Sequence, residues 1–172
     1  MKFSKISLST LFVAALGFLA LGPASTPAGA GTATATIAVT ANVQSACSIT
    51  ANPLAFGTYS GAVLAVSTSV AVTCTNGGPY TVGLNGGTTT GGTDLARKMA
   101  GLTGAAVGTT LNYNLFSDAG WITIWGNTAA DHWVSGTGTG TAQTLNVYGQ
   151  MAAGQALTVG TYGETVTATV TY

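Results

Sequence analysis

Residues 31–43 read GTATATIAVTANV, and this alternation decides how the rest of the chain is interpreted. Successive side chains of a β-strand point to opposite faces, so a strand here has one apolar face and one threonine-rich face. Ala38 is the only lapse in the pattern. The positions that we predict face a protein core are Ala33, Ala35, Ile37, Val39, Ala41 and Val43.

Two interpretations fit this segment. It is either the first strand of an ordinary β domain or a donor strand that completes the sheet of a neighbouring molecule by β-strand addition. No turn signal folds the segment back before the first cysteine, Cys47. The alternation alone does not decide between the two, and we favour the donor strand, with the rest of the chain as its acceptor.

The residues before this segment have the pattern of an export signal. Lys2 and Lys5 precede an apolar run at residues 11–21, and the Ala-Gly-Ala at residues 28–30 fits a cleavage site. We therefore expect residues 1–30 to be removed, which leaves 142 residues and suggests one domain. No later segment is apolar for the ~18 residues that a membrane-spanning helix needs, so we expect no membrane span in the mature chain.

Charge is sparse after residue 30 and excludes one class of partner. Two basic and four acidic residues give this part a formal charge of −2, without a basic patch, so we expect no nucleic-acid partner. A surface so poor in charge is unusual for a free monomer and is expected where much of it becomes a subunit interface. The charged residues are Arg97, Lys98, Asp94, Asp118, Asp131 and Glu164.

Cys47 and Cys74 form an even pair in the exported part, where an oxidising compartment favours a disulfide. Cys74 shares its parity with Val70 and Val72, and Cys47 continues the apolar register of residues 31–43, so both sulfurs are predicted on inward faces. A metal site is the rival interpretation, but it needs more ligands than two thiols and one distant histidine supply.

Alternation dominates the remaining chain, and helical periodicity is absent. Short strands separated by Gly-rich turns predict a β-sandwich. In the last strand Val166, Ala168, Val170 and Tyr172 alternate with threonines. We predict a strand over residues 54–59 with a bulge at the glycine, a strand or loop edge over 97–102, and the longest loop over 126–142. Further strands are predicted over 66–74, 80–84, 111–116, 121–125, 145–151 and 165–172.

Candidate catalytic residues are few, so we expect no enzyme, no cofactor and no metal. His132 lies beside Asp131 in a Gly/Thr-rich loop, and no Gly-x-Ser-x-Gly elbow supplies a nucleophile for it. No spacing singles out a pair of carboxylates. Trp121, Trp125 and Trp133 provide the best alternative, a sugar-binding surface, although core and interface packing are commoner uses of such aromatics.

The chain resembles a known family in several blocks that occur in the same order. These blocks are Cys47-Ser48-Ile49, LAFGTY at 54–59, VAVTC at 70–74, LNYNLFSD at 111–118, Trp125-Gly126, and Gly160-Thr161-Tyr162 through to Tyr172. With them the chain resembles the spore coat protein U domain family, which includes subunits of archaic, Csu-type chaperone–usher pili. Glu164 and Phe116 depart from the family pattern, which often has Asp and Tyr at these places, and neither change affects how such subunits assemble.

The resemblance implies an all-β fold, an incomplete immunoglobulin-like β-sandwich completed by a donor strand from another subunit. It divides the chain into a signal peptide (1–30), a donor-strand extension (31–45) and a spore coat U or pilin-type domain (46–172). The acceptor groove is expected beside the C-terminal strand with Val166, Ala168, Val170 and Tyr172.

The implied partners are copies of the chain or related subunits, a periplasmic chaperone that first fills the groove, and an outer-membrane usher that exchanges it for the next subunit. The expected location is the cell surface, reached through the periplasm. The function implied is a pilus shaft subunit, because a tip adhesin would be expected to carry a further receptor-binding domain. The alternatives are a spore-coat or other surface-coat protein, and an adhesin that uses its loop aromatics.

Overall fold

Almost all regular structure in this protein is β-strand. The computed structural model describes residues 29–128, 132–156 and 158–172. Within them, a 3-10 turn at Gly104–Ala106 accompanies nine strands. The strands are β1 Cys47–Ala51, β2 Leu64–Cys74, β3 Pro79–Leu84, β4 Arg97–Gly101, β5 Thr110–Phe116, β6 Val134–Thr137, β7 Ala142–Met151, β8 Tyr162–Gly163 and β9 Ala168–Thr171.

The strands form two sheets, which confirms the predicted all-β, two-sheet architecture. The larger sheet has the order β1-β2-β7-β5-β4-β8, and the smaller has the order β6-β3-β9. Every neighbouring pair is antiparallel. Strands β1 and β8 are edges of the larger sheet, and β6 and β9 are edges of the smaller one. None of the described helices is of the length and apolar character that crossing a membrane requires.

The core follows the two-residue periodicity of the strands. In β2 the buried positions Val70, Val72 and Cys74 share one parity, and the intervening residues are only partly covered. The same holds in β7, and in β3 and β5 apart from Gly83 and Phe116, which are buried on the other parity. Because side chains of like parity point to one face of a sheet, one face of each sheet is buried against the other. The buried cluster consists of Val70, Val72, Cys74, Tyr80, Val82, Leu84, Leu111, Tyr113, Leu115, Trp125, Val147 and Met151.

A buried guanidinium joins several backbone segments beside this core. Arg97, in β4, is fully buried. Its Nε donates to the carbonyl of Asn85 at 2.9 Å, and its Nη1 donates to the carbonyl of Asp94 at 2.8 Å. Its Nη2 donates to the carbonyls of Leu84 at 2.8 Å and Trp125 at 2.7 Å. Burial lowers the pKa of Arg97 below its usual value, although the charges of Tyr113 and Asp94 act to raise it.

Asp94 completes this polar cluster. Its Oδ2 accepts hydrogen bonds from the backbone N–H groups of Asn127 at 3.1 Å and Thr128 at 3.0 Å, and from the Thr128 hydroxyl. Burial raises the pKa of the Asp94 carboxyl, but these hydrogen bonds and the charge of Arg97 outweigh it, so the pKa lies below its usual value. The carboxylate therefore stays ionised and fixes the segment that follows Trp125.

The chain divides into two units, Met1–Thr40 and Ala41–Tyr172. Residues 29–40, taken by themselves, form no helix or strand and are all exposed. Ile37 and Val39 are 87% and 89% exposed. In the second unit residues 41–46 are likewise exposed, with Val43 at 80%. The predicted signal peptide falls almost entirely outside the described residues.

Several strand predictions differ from the structure. Residues 54–59 and 121–125 form no strand, and of the second segment only an isolated bridge between Phe116 and Ile124 is present. The predicted loop over 126–142 contains β6, and the last strand begins at Ala168 instead of residue 165. Alternation indicates only which side chains are buried, whereas a strand also requires a neighbouring backbone with which it forms hydrogen bonds.

Candidate functional site, an open apolar groove

A groove of about 1140 Å³ opens onto the core. It is bordered by two backbone segments, residues 51–59 and residues 158–166. Buried apolar side chains of both sheets lie beneath it, so any segment that enters the groove meets the core directly. These side chains are Val70, Leu84, Leu111, Tyr113, Leu115, Val147 and Met151.

The first border is held by side chains. Leu54 and Phe56 are half-buried, and the Phe56 ring packs edge-on to Tyr113 with 5.8 Å between ring centroids. Gly149 makes room for both, because a Cβ at this position would lie 2.9 Å from Leu54 Cδ1 and 3.0 Å from Phe56 Cζ. Tyr59 adds a further anchor through its hydroxyl, which donates to the carbonyl of Ala152. The glycine that interrupts the apolar parity of β7 is thus explained by packing.

Beyond residue 53, the backbone of this border is unpaired among the described residues. The N–H of Asn52 donates to the carbonyl of Ser69 at 3.0 Å, and the carbonyl of Gly61 accepts from the N–H of Gly154 at 2.9 Å. Between these two points, the backbone groups of residues 54–60 make no hydrogen bond within the described parts of the chain. A row of free donors and acceptors beside an apolar groove is the template that an added strand uses.

The second border has the same property. Strand β9 pairs with β3 on one side only, and the preceding Thr167 bonds to Asn85 through its N–H at 2.8 Å and its carbonyl at 3.1 Å. The backbone groups of Glu164 and Val166 have no partner among the described residues. Both sides of the groove therefore present backbone that a strand lying between them would satisfy.

Two of the four predicted C-terminal positions line the groove. Val166 and Ala168 are half-buried there, and Val170 is half-buried against the core but does not line the groove. Tyr172 is 59% exposed and lies beyond the end of β9. The six predicted donor positions are all exposed, and no strand includes them.

Glu164 has a role that the sequence did not reveal. Its carboxylate accepts hydrogen bonds from the backbone N–H groups and the hydroxyls of Thr88 and Thr89, among them Thr89 N–H to Oε2 at 3.1 Å. Burial raises the pKa of Glu164, but these hydrogen bonds from Thr89 and Thr88 lower it below its usual value overall. Burial, and then the charge of Glu164, raises the pKa of Tyr113 to about 12. Glu164 thus fixes a Gly/Thr-rich loop against the edge of the groove.

The predicted disulfide is present. Cys47 and Cys74 are bonded, with an S–S distance of 1.99 Å, and they are directly opposite one another in the β1–β2 ladder. No free cysteine occurs among the described residues. The bridge fastens the first strand of the folded unit to the buried end of β2.

Reduction of this disulfide is expected to destabilise the protein by roughly 3.5 kcal/mol, because the bridge spans 27 residues and restricts the unfolded chain. Urea unfolding of oxidised and reduced protein measures this difference. Thiol labelling of protein denatured without reductant is expected to find no reactive cysteine. Stoichiometric labelling at that step would contradict the bridge.

The tryptophans do not form one surface. Trp125 is fully buried, and its indole N–H donates to the carbonyl of Val82 at 2.8 Å, so it packs in the core, the commoner use of such aromatics, and does not belong to the alternative sugar-binding surface. Trp121 and Trp133 are 39% and 40% exposed. In the described part of the chain no three His, Cys, Asp or Glu residues are grouped as a metal site would require. Asp131 lies outside the described residues.

Comparison with known proteins places the chain in a family. The model of the Spore Coat Protein U domain matches residues 33–169. The chain is 36% identical over 178 aligned residues to Protein U of Myxococcus xanthus, covering 93% of this chain and 96% of that protein. The chain therefore belongs to the Spore Coat Protein U domain family, as the resemblance predicted.

A solved structure has a similar fold. It is the CsuC–CsuE chaperone–tip adhesion subunit pre-assembly complex from archaic chaperone–usher Csu pili of Acinetobacter baumannii, with a TM-score of 0.57 and 26% identity. The alignment covers 76% of this chain and 40% of that one. Both the family and the fold are those of surface-structure subunits.

Proposed function

We propose that this protein is a structural subunit of a secreted surface polymer, a chaperone–usher pilus shaft, assembled by donor-strand exchange. The observation that carries the proposal is the groove, bordered on both sides by unpaired backbone at residues 54–60 and at Glu164 and Val166. The donor is residues 31–43 of another copy or of a related subunit, whose apolar parity is exposed in the single chain.

The energetics favour insertion of such a strand. Covering Ile37, Val39, Val43 and the alanines of the same parity is worth roughly 6–10 kcal/mol, an upper bound that assumes full exposure before assembly. Hydrogen bonds to both borders add to this figure, because they satisfy backbone groups that would otherwise lie unpaired beside an apolar surface. Threonines on the other parity of the donor remain on the outside of the completed sheet.

A periplasmic chaperone and an outer-membrane usher complete the proposal. An open groove is an aggregation hazard, so a partner must fill it until the next subunit arrives. The similarity to a pilus subunit solved in complex with its chaperone supports this step. The route requires export through the periplasm, for which residues 1–30 serve as the signal peptide, and delivery to the cell surface.

A surface-coat subunit is the second candidate. The observation that favours it is the 36% identity to Protein U of Myxococcus xanthus over nearly the whole of both chains. Strand addition between copies operates equally well in a coat and in a fibre, so the two candidates share the groove and differ in the shape of the product.

A synthetic peptide of residues 31–43, added during refolding of a chain that lacks this segment, tests the proposal. We expect the peptide to bind the groove, to raise the unfolding midpoint and to keep the chain monomeric, as measured by size-exclusion chromatography and urea unfolding. The matched control is the same peptide with Ile37→Asp and Val39→Asp, which is expected to give neither effect. Equal effects of the two peptides, or none from the first, would overturn donor-strand exchange.

A further inference from the structure

A short loop after β5 holds the one strained non-glycine backbone in the described residues. Trp121 has a φ of 52°, in the left-handed region that large side chains seldom adopt. Such outliers persist only where surrounding contacts fix them, and they concentrate at functional sites. Trp121 is also 39% exposed, so the strain does not serve core packing.

Asp118 is the contact that fixes this loop. Its carboxylate accepts hydrogen bonds from the backbone N–H groups of Gly120 at 2.9 Å, Ile122 at 3.2 Å and Thr123 at 2.6 Å. The N–H of Trp121 donates to the carbonyl of Asp118 at 3.2 Å. The backbone that carries the indole is therefore fixed by Asp118. Both carboxylate oxygens of Asp118 already accept hydrogen bonds from this loop.

The indole borders a shallow concavity on the outer face of the larger sheet. Its volume is about 260 Å³, and its lining residues are Ala65, Val66, Ser67, Ala119, Trp121 and Tyr148. Ser67 and Tyr148 are directly opposite one another in the β2–β7 ladder. Val147 faces the core, so its neighbour Tyr148 points to the opposite side of the sheet, away from the groove.

The chemistry of the lining indicates what fits. Within the described residues, no hydrogen bond engages the Trp121 indole N–H, the Ser67 hydroxyl or the Tyr148 hydroxyl. These three polar groups belong to residues that line the same concavity as the indole, and no ionised side chain is among its lining residues in the described part of the chain. A suitable ligand has an apolar face, a hydroxyl-bearing edge and no charge, which describes a neutral pyranose ring.

We propose that this concavity binds one neutral sugar ring of a polysaccharide, stacked on Trp121 with its hydroxyls directed to Ser67 and Tyr148. The volume suits a single ring. A protein partner would bury on the order of 800 Å² on each side, which calls for a broader surface than six lining residues. The site lies on the face of the larger sheet opposite the groove, so a strand that enters the groove does not cover it. In the polymer proposed above, each subunit adds one weak contact to a multivalent array.

Trp121→Asn is the decisive variant, because asparagine tolerates the left-handed backbone and removes only the ring. We expect its thermal stability to equal or exceed that of the parent, while its affinity for the sugar falls roughly tenfold or more. Trp133→Ala is the matched control, since Trp133 is exposed to a similar extent but is absent from the concavity.

The assay uses the full chain as assembled. Binding of neutral cello-, chito- and malto-oligosaccharides is measured by isothermal titration calorimetry, which does not use the Trp121 indole as its reporter, and alginate provides an anionic comparison. Loss of binding in Trp121→Asn but not in Trp133→Ala supports the site. The proposal is overturned if none of the neutral probes binds at millimolar concentration, if alginate alone binds, if Trp121→Asn binds like the parent, or if both variants lose binding equally.

Discussion

Moving residues 31–43 to the C-terminus, behind a linker of about four to six Gly, Ser or Asn residues, is expected to give a stable monomer. The moved segment follows β9, which borders the groove, so a tight reversal returns it antiparallel beside Val166 and Ala168. The chain then fills its own groove. The gain in unfolding free energy is expected to approach the roughly 6–10 kcal/mol estimated for full burial of the apolar parity.

The two faces of the moved segment, one apolar and one threonine-rich, provide matched substitutions. Ile37→Asp or Val39→Asp places an unpaired carboxylate against the core, which costs several kcal/mol even after relaxation. Thr36→Asp or Thr40→Asp places the same charge on the solvent face and is expected to change stability by less than about 0.5 kcal/mol. Urea unfolding and size-exclusion chromatography of the four variants give the contrast.

Two results would contradict this expectation. An ordinary first strand already docks in its own chain, so relocation would then bring no gain in stability and no loss of polymerisation. Equal damage from substitutions on the two parities would mean that the segment does not lie in a groove with one buried face. Either result leaves the proposed sugar site untouched, because that site lies on the opposite face of the sheet.

Replacement of Arg97 by methionine is expected to be the most damaging single substitution in the acceptor. The guanidinium donates to four backbone carbonyls, those of Leu84, Asn85, Asp94 and Trp125, and is fully buried. Methionine fills a similar volume but donates nothing, and each unsatisfied buried acceptor costs roughly 1–3 kcal/mol. We expect a loss of roughly 3–5 kcal/mol, since the loss also leaves the Asp94 carboxylate without its cation.

Chemical unfolding of the disulfide-intact protein measures this loss. Arg97→Lys is expected to fall between methionine and the parent, because an ammonium keeps the charge but carries three donors without the fixed fork of a guanidinium. The control is Lys98→Met, the next residue of β4, whose side chain makes no hydrogen bond in the described structure and is expected to shift stability by less than about 0.5 kcal/mol. An unchanged midpoint for Arg97→Met would show that the buried cluster carries no stability.

Local alternation predicted the core strands because burial acts on each residue in turn. The register of Val70, Val72 and Cys74 in β2, and of the apolar positions in β5, followed from a two-residue period. The disulfide followed from the parity of its two cysteines. These features depend only on which face of a strand is buried, and the sequence carries that information within each segment.

Features that depend on a distant neighbour were not predictable. Residues 54–59 alternate like a strand, yet no strand in the described part of the chain pairs with them. Strand β6 was not predicted because it lies in a Gly/Thr-rich stretch without alternation. Its Gly136 packs against the Tyr80 ring, where a Cβ would lie only 2.5 Å from the ring. Residues 121–125 alternate, but the Asp118 carboxylate takes the N–H groups that a strand would use.

The donor positions in residues 31–43 stay a prediction. Val166 and Ala168 were predicted beside a groove, from alternation together with the family resemblance, and both line it. Glu164 was not, because its partners Thr88 and Thr89 lie some 75 residues away and no spacing links them. Nothing in the sequence around Arg97 predicts its burial, and only the tertiary structure surrounds it with carbonyl groups.

The Cys47–Cys74 bridge gives a fibre assembled in this way a route for mechanical load. A pull transmitted along the donor segment reaches the folded unit at Cys47, the first residue of β1. Strand β1 is a sheet edge whose ladder among the described residues is with β2, so a force at its end would unzip that ladder bond by bond. The covalent bridge instead passes the force straight to β2, which is flanked on both sides by other strands. Such a fibre then resists tension through the disulfide bond and through the shear resistance of the inserted strand. A reduced fibre would therefore extend at lower force than an oxidised one.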